Sequence, residues 1–242
     1  MLEQVKLLAS RRAYEFRSDD LRLSTLSIKP VQEQIQRLFQ FQTAVMGSPM
    51  PTFGEVPVTY PPGFVFNMGM WISEDQQIIP IRLLHFEQRR IVIDVAGPSV
   101  AITTIYEHLR HFLSELQAPD GSPIVGEPEQ ILEHSVISAQ FPFSIDTIFT
   151  PPLRKLFTRA LNANASGEEL ALVSTIVTQK HPAGQEITRL ANPEESYALT
   201  LGLRVGTKPE EHIYLSGAPL DSEAHLSYLN ELEAILSTKL LR

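Results

Sequence analysis

The chain of 242 residues contains no cysteine, which excludes disulfide frameworks, thiol nucleophiles, Cys-ligated zinc and iron–sulfur clusters together. Tryptophan occurs once, at Trp71. No uncharged apolar run approaches the roughly 18 residues that a membrane-crossing helix needs, so a membrane is not expected as a partner. Basic charge is also short: 20 Lys and Arg stand against 28 Asp and Glu, a formal net charge of -8. Residues 1–120 carry 11 basic and 13 acidic side chains and residues 121–242 carry 9 and 15, with no basic block in either half. A protein built to neutralise phosphates has the opposite balance, so nucleic acid is disfavoured as a partner.

What is present is an ordinary globular composition, 43% hydrophobic and 20% charged. Such a chain can bury a substantial core by apolar contact alone, without a metal or other cofactor to hold it. Residues Met1–Arg12 mix Glu3, Lys6, Arg11 and Arg12 with Leu2, Val5, Leu7 and Leu8. They lack the apolar core and small-residue cleavage site of a secretion signal, and a short helix is expected there. The expectation for the whole chain is a soluble cytoplasmic protein.

Sliding the sequence over itself brings its halves into register. Thr25–Val31 falls on Thr147–Leu153, each running from an alternating strand pattern into a helix with proline in its first turn. Tyr60-Pro61-Pro62-Gly63 falls on His181-Pro182-Ala183-Gly184, and the polar turn Ser73–Gln77 falls on Ala191–Glu195. Ile91–Asp94 falls on Ile213–Ser216, while Leu109, Phe112, Leu113 and Ser114 fall on Leu232, Ile235, Leu236 and Ser237. The offset drifts only between 118 and 123 over these segments, all in the same order. The expected organisation is two α+β repeats, 1–120 and 121–242, that share one sheet.

Each repeat reads as strand, helix, four strands, helix. The first places them near 13–27, 30–46, 55–60, 64–73, 78–87, 89–96 and 99–117. The second places them near 133–148, 151–164, 170–180, 184–191, 196–206, 211–217 and 221–241. Short polar turns between strands imply antiparallel pairing. The weakest strand, 55–60, lies within Gly47–Gly63, whose five prolines favour an edge strand or an ordered loop. This order of elements is similar to the duplicated half of the TATA-box-binding-protein fold, and the resemblance implies one curved antiparallel sheet backed by helices. The acidic charge departs from what that DNA-binding family needs, and fold alone does not imply function.

Alternation along the strands separates two sheet faces. Phe64, Phe66, Met68, Met70 and Ile72 are expected in the core, as are Ile137, Ala139, Phe141, Phe143 and Ile145, and Tyr197, Leu199, Leu201, Leu203 and Val205. The opposite face then gathers Asn67, Gly69, Trp71, Arg90, Val92, Asp94, Ala198, Thr200, Gly202, Arg204, His212, Tyr214 and Ser216. Trp71, Arg90, Asp94, Arg204, His212 and Tyr214 are its candidate binding residues. Trp71 either anchors an interface, as tryptophan often does, or tucks beneath the Pro-rich loop.

Catalytic and metal-binding patterns fit poorly. Glu107-His108-Leu109-Arg110-His111 resembles a zincin motif, but its histidines stand three apart and Glu107 precedes both. They flank the stripe Ile105, Leu109, Phe112 and Leu116 and read as surface or half-buried side chains, so no metal site is expected. Glu133-His134 and Glu211-His212 are strand neighbours that point to opposite faces. No nucleophile elbow, phosphate-binding loop or dinucleotide fingerprint is present. The expected function is therefore non-enzymatic: binding of a protein partner, or of a second copy as a dimer, through the open sheet face or an edge strand. The alternative is a small-molecule binder or enzyme with a pocket between helices and sheet.

Overall fold

The computed structural model describes residues 2–18, 20–46, 52–53, 56–57, 63–73, 76–118, 121–145, 174–178 and 198–240. The chain divides into two compact units, one of residues 9–134 and one of residues 1–8 with 135–242. Both are α+β, with antiparallel strands. The expected elements at 151–164 and 184–191, and most of the loop 47–63, lie outside the described residues.

The unit of residues 9–134 begins within β1 (Glu3–Glu15) and continues through α1 (Leu23–Leu26), α2 (Lys29–Leu38) and β2 (Thr43–Met46). A two-residue pair, β3 (Thr52–Phe53) and β4 (Val56–Pro57), precedes β5 (Gly63–Ile72), β6 (Ile78–Glu87), β7 (Arg90–Val95) and α3 (Ser99–Ser114). The sheet order is β2-β5-β6-β7-β1, every neighbour antiparallel. Ile102, Ile105, Leu109 and Leu113 recur at helical spacing along α3. They pack with Val31 and Ile35 of α2 onto Tyr14, Phe64, Phe66, Leu84, Phe86, Ile91 and Ile93. Burying each such side chain contributes roughly 1.5–3 kcal/mol, which holds the strands in register.

The N-terminal segment is a strand and not the expected helix. Its residues Ser10–Glu15 pair with Val95–Arg90 of β7, so a tertiary partner overrides a local pattern that alone suits a helix. The strand ends at Glu15, well short of the expected residue 27. The helix expected to reach residue 46 also stops early, at Leu38. Gln40 adopts a left-handed φ of 51°, Phe41 N–H donates to the Gln36 carbonyl at 2.9 Å, and Gln40 N–H donates to the Arg37 carbonyl at 3.3 Å. This is a Schellman closure with asparagine's longer homologue in the place usually held by glycine. It turns the buried Phe39 and Phe41 onto the core and frees Thr43–Met46 to pair with Asn67–Phe64.

A further departure lies inside the β5–β6 hairpin. Met68 has a φ of 56°, and the β6–β7 register shifts between Ile81 and Leu83. An irregularity at the same level of two paired strands reverses the alternation in both. Before it, Phe64 and Phe66 face the helices; beyond it, Gly69 and Trp71 do. A Cβ on Gly69 would stand 2.5 Å from the Phe41 ring and 2.8 Å from the Phe39 carbonyl, so this close approach requires glycine. Met68, Met70 and Ile72, expected in the core, leave it.

The second unit comprises the rest of β8 (Gln130–Gln140) from Ser135, then β9 (Ser174–Thr178), β10 (Ala198–Leu203), β11 (Ile213–Ala218) and α4 (Ser222–Leu240). Its strands are ordered β8-β11-β10-β9, again antiparallel. Leu229 of α4 packs with Leu2, Ile137, Ala139, Phe141, Ile145, Leu201 and Tyr214. The alternation expected along β8 and for Leu201 and Leu203 agrees with this core. That for β11 is inverted, because Tyr214 and Ser216 are buried while Leu215 is exposed. No helix among the described residues is long and apolar enough to cross a membrane.

Candidate functional site

The face of the first unit's sheet turned away from α2 and α3 is built by cross-strand neighbours. Glu15, Arg90 and Glu87 stand side by side at one end, Ala13, Val92, His85 and Val65 form the next row, and Arg11, Asp94, Leu83 and Asn67 the one after. Opposite charges meet within these rows, as cross-strand pairs favour. Arg90 lies 2.9 Å from Glu15 Oε1 and 3.8 Å from Glu87 Oε2, while His85 Nδ1 lies 3.2 Å from Glu87 Oε1. Arg11 donates through Nε at 3.1 Å and Nη2 at 2.7 Å to Asp94 Oδ2, and Arg82 Nε lies 3.5 Å from Asp94 Oδ1. Asp94 is only 4% exposed, so the guanidinium groups offset the cost of taking its charge out of water. Val65, His85 and Val92 are buried as well. These rows are therefore packed and charge-paired, where an open face was expected.

Beyond the bulge the same face becomes apolar. Met70 stands opposite Pro80 and Ile72 opposite Ile78. Met68 is 65% exposed, Ile78 64% and Ile72 46%. Arg82, 52% exposed, stands at the junction between these side chains and the paired charges.

The six expected binding residues do not share one surface. Arg90 and Asp94 belong to the paired rows just described. Trp71 lies on the helix-covered face, half-buried against the core, because the bulge inverts its strand position. Tyr214 is a core residue, edge-on to Phe141, and its hydroxyl accepts the Ile145 N–H at 3.1 Å. His212 is outside any strand, in a left-handed conformation (φ 51°) after the short 3-10 turn Pro209–Glu211. Arg204 follows β10, exposed, with Nη1 3.5 Å from Ser138 Oγ. The missed residues are Met68, Ile72, Ile78 and Arg82. A glycine within β5 and a proline within β6 were the signals available, since both are uncommon in regular strand interiors and mark bulges.

Other polar clusters are structural. Tyr14 and Tyr106 stack with ring centroids 3.6 Å apart between β1 and α3. Burial pushes the Tyr106 phenol up to about 12 and raises that of Tyr14, against the opposing hydrogen bond from Arg12. Arg12 also donates to Thr103 Oγ1 at 2.7 Å and pairs with Glu133. In the second unit the fully buried His225 lies with Nδ1 2.8 Å from Ser135 Oγ and Nε2 2.8 Å from Ser216 Oγ. Both hydroxyls also reach backbone carbonyls, Ser135 Oγ donating to Leu220 at 2.8 Å and Ser216 Oγ to Thr200 at 3.0 Å. Held this deeply, the ring ties α4 to β8 and β11. His108 and His111 are exposed on α3; the first lies edge-on to Phe39 and the second 3.6 Å from Glu115. Among the described residues no group of three or more His, Asp and Glu is placed to hold a metal ion.

No protein-family model, curated protein or solved structure matches the chain.

Proposed function

We propose that the protein is a non-enzymatic interaction module that binds a protein partner, or a second copy of itself, through the charge-paired face of the sheet of residues 9–134. One observation carries this reading: Met68, Ile72 and Ile78 stand together in solvent on that face, held there by a backbone irregularity at Met68. A non-glycine residue in the left-handed region costs on the order of 1–3 kcal/mol, and such strain concentrates at functional positions. Contiguous apolar patches of this kind on a protein surface are often functional.

The duplication belongs to the same proposal. In both units the first strand pairs antiparallel with the last, and a helix beginning at Ser99 or Ser222 follows. A shift of 123 residues lays Ile91, Ile93 and Val95 on Tyr214, Ser216 and Ala218, and Ile102, Leu109 and Leu113 on His225, Leu232 and Leu236. The shift of 122 read from the strands alone sets Ile91 on Ile213, outside the core, and a one-residue slip exchanges the two faces of a strand.

The test is site-specific photocrosslinking from a benzoylphenylalanine placed at position 68 of the full chain in the cells that make it. The expected result is one defined adduct, either a dimer of the chain or a complex with one other protein, which disappears in an Ile78→Lys background. Labelling no different from that of a probe at the exposed Lys208 would overturn the reading.

A further inference from the structure

We infer that the occupant of the Met68 patch is a short amphipathic segment of another protein, apolar along one side and carrying a carboxylate that meets Arg82. This rests on the binding reading above and names the partner's chemistry. Size comes first. The exposed fractions of Met68, Ile72 and Ile78 amount to roughly 300–400 Å² of apolar surface, against the ~800 Å² that each side of a standard stable interface buries. A second copy of the chain would have to bury about as much again of the surface around the patch. From Met68 to Ile72 the strip runs about 13 Å at strand rise, close to two and a half turns of helix, the span of a short segment.

Charge supplies the rest. Asp94 gives Oδ2 to Arg11, which grips it through two nitrogens, whereas Arg82 reaches Oδ1 only through Nε at 3.5 Å and keeps half of its surface open. A half-exposed ion pair of that length contributes at most about 1 kcal/mol, so the guanidinium is free to turn toward a second carboxylate. A planar cation at the end of an apolar strip selects an acidic ligand and repels a basic one.

The experiment selects peptides from a random display library on the full chain and titrates them against protein labelled at its methionine methyl groups. Selected sequences are expected to combine apolar residues with Asp or Glu and to move the Met68 and Met70 signals. Arg82→Glu should weaken them roughly tenfold or more, and exchanging their acids for lysine should restore binding to that variant. Unchanged Trp71 emission verifies that each variant is folded. Peptides that move Met68 but lack acidic bias, or ignore Arg82→Glu, overturn the inference and leave the binding face standing. So does a Met68 signal that shifts on dilution of the protein alone, which would make the occupant a second copy. Selected peptides that spare Met68 and ignore Ile78→Lys, or a library that yields none, overturn the inference; with no adduct from position 68, the binding reading falls as well.

Discussion

Asparagine and valine at position 68 rank in opposite orders according to whether the strand alternates regularly through it. With φ at 56°, Met68 occupies the left-handed region, where an L residue pays roughly 1–2 kcal/mol for the crowding of its Cβ. Asparagine tolerates that region through local hydrogen bonds, and a β-branched residue suffers most there. Met68 is two-thirds exposed, so either substitution forfeits only about 0.5–1 kcal/mol of apolar burial. Met68→Asn should therefore stay within about 1 kcal/mol of the wild type, and Met68→Val should fall about 1–2 kcal/mol below Met68→Asn. Were Met68 a regular strand residue facing the helices, valine would cost less than about 1.5 kcal/mol, whereas asparagine would bury an unpaired amide at about 1–3 kcal/mol beyond its lost apolar contact. The assay is equilibrium urea unfolding followed by Trp71, the sole tryptophan and a residue of this unit. Midpoints are compared at a common slope. A valine variant more stable than the asparagine variant would refute the bulge and the exposed patch that depends on it.

Replacing Asp94 by asparagine strands the largely buried Arg11 guanidinium and should cost about 3 kcal/mol, while Arg82→Met, at a half-exposed partner, should cost less than about 1; equal losses in urea unfolding would show that the pair is not shared as described. Ser135→Ala removes the partner of His225 Nδ1 and the donor to the Leu220 carbonyl, and an expected loss of about 1–3 kcal/mol would be read from far-ultraviolet dichroism during thermal unfolding. Tyr106 has a folded value of about 12 against its ordinary 10.0, so the stability linked to its neutral phenol is complete below pH 10 and is lost as pH rises toward 12. Among the described residues its buried hydroxyl has no hydrogen-bond partner, so Tyr106→Phe should be at least as stable at neutral pH and should lose less on alkalinisation; a steeper alkaline loss in the variant, measured by urea midpoints, would contradict this.

Several elements were legible from residue order alone. The strands expected at 64–73, 78–87 and 89–96 and the helices expected at 99–117 and 221–241 lie within a few residues of β5, β6, β7, α3 and α4. Their apolar periodicity and polar turns are local properties, readable without knowing what they pack against. Antiparallel pairing followed for the same reason, since short turns permit little else. The N-terminal strand was not legible, because Glu3–Glu15 becomes a strand by pairing with β7, far along the chain. Nor was the face assignment beyond Met68: one left-handed residue reverses every later side chain in the strand, and nothing in the identity of methionine announces it. The candidate site suffered accordingly. Alternation puts Arg90 and Asp94 on the face away from the helices, where they lie, but it puts Trp71 and Tyr214 on the wrong face and Met68, Met70 and Ile72 in the core. Composition and periodicity thus determined an acidic, cysteine-free α+β chain of antiparallel strands. Which side chains meet solvent was decided by tertiary structure alone, because a strand's two faces differ by a single residue of register and that register is set by its partners.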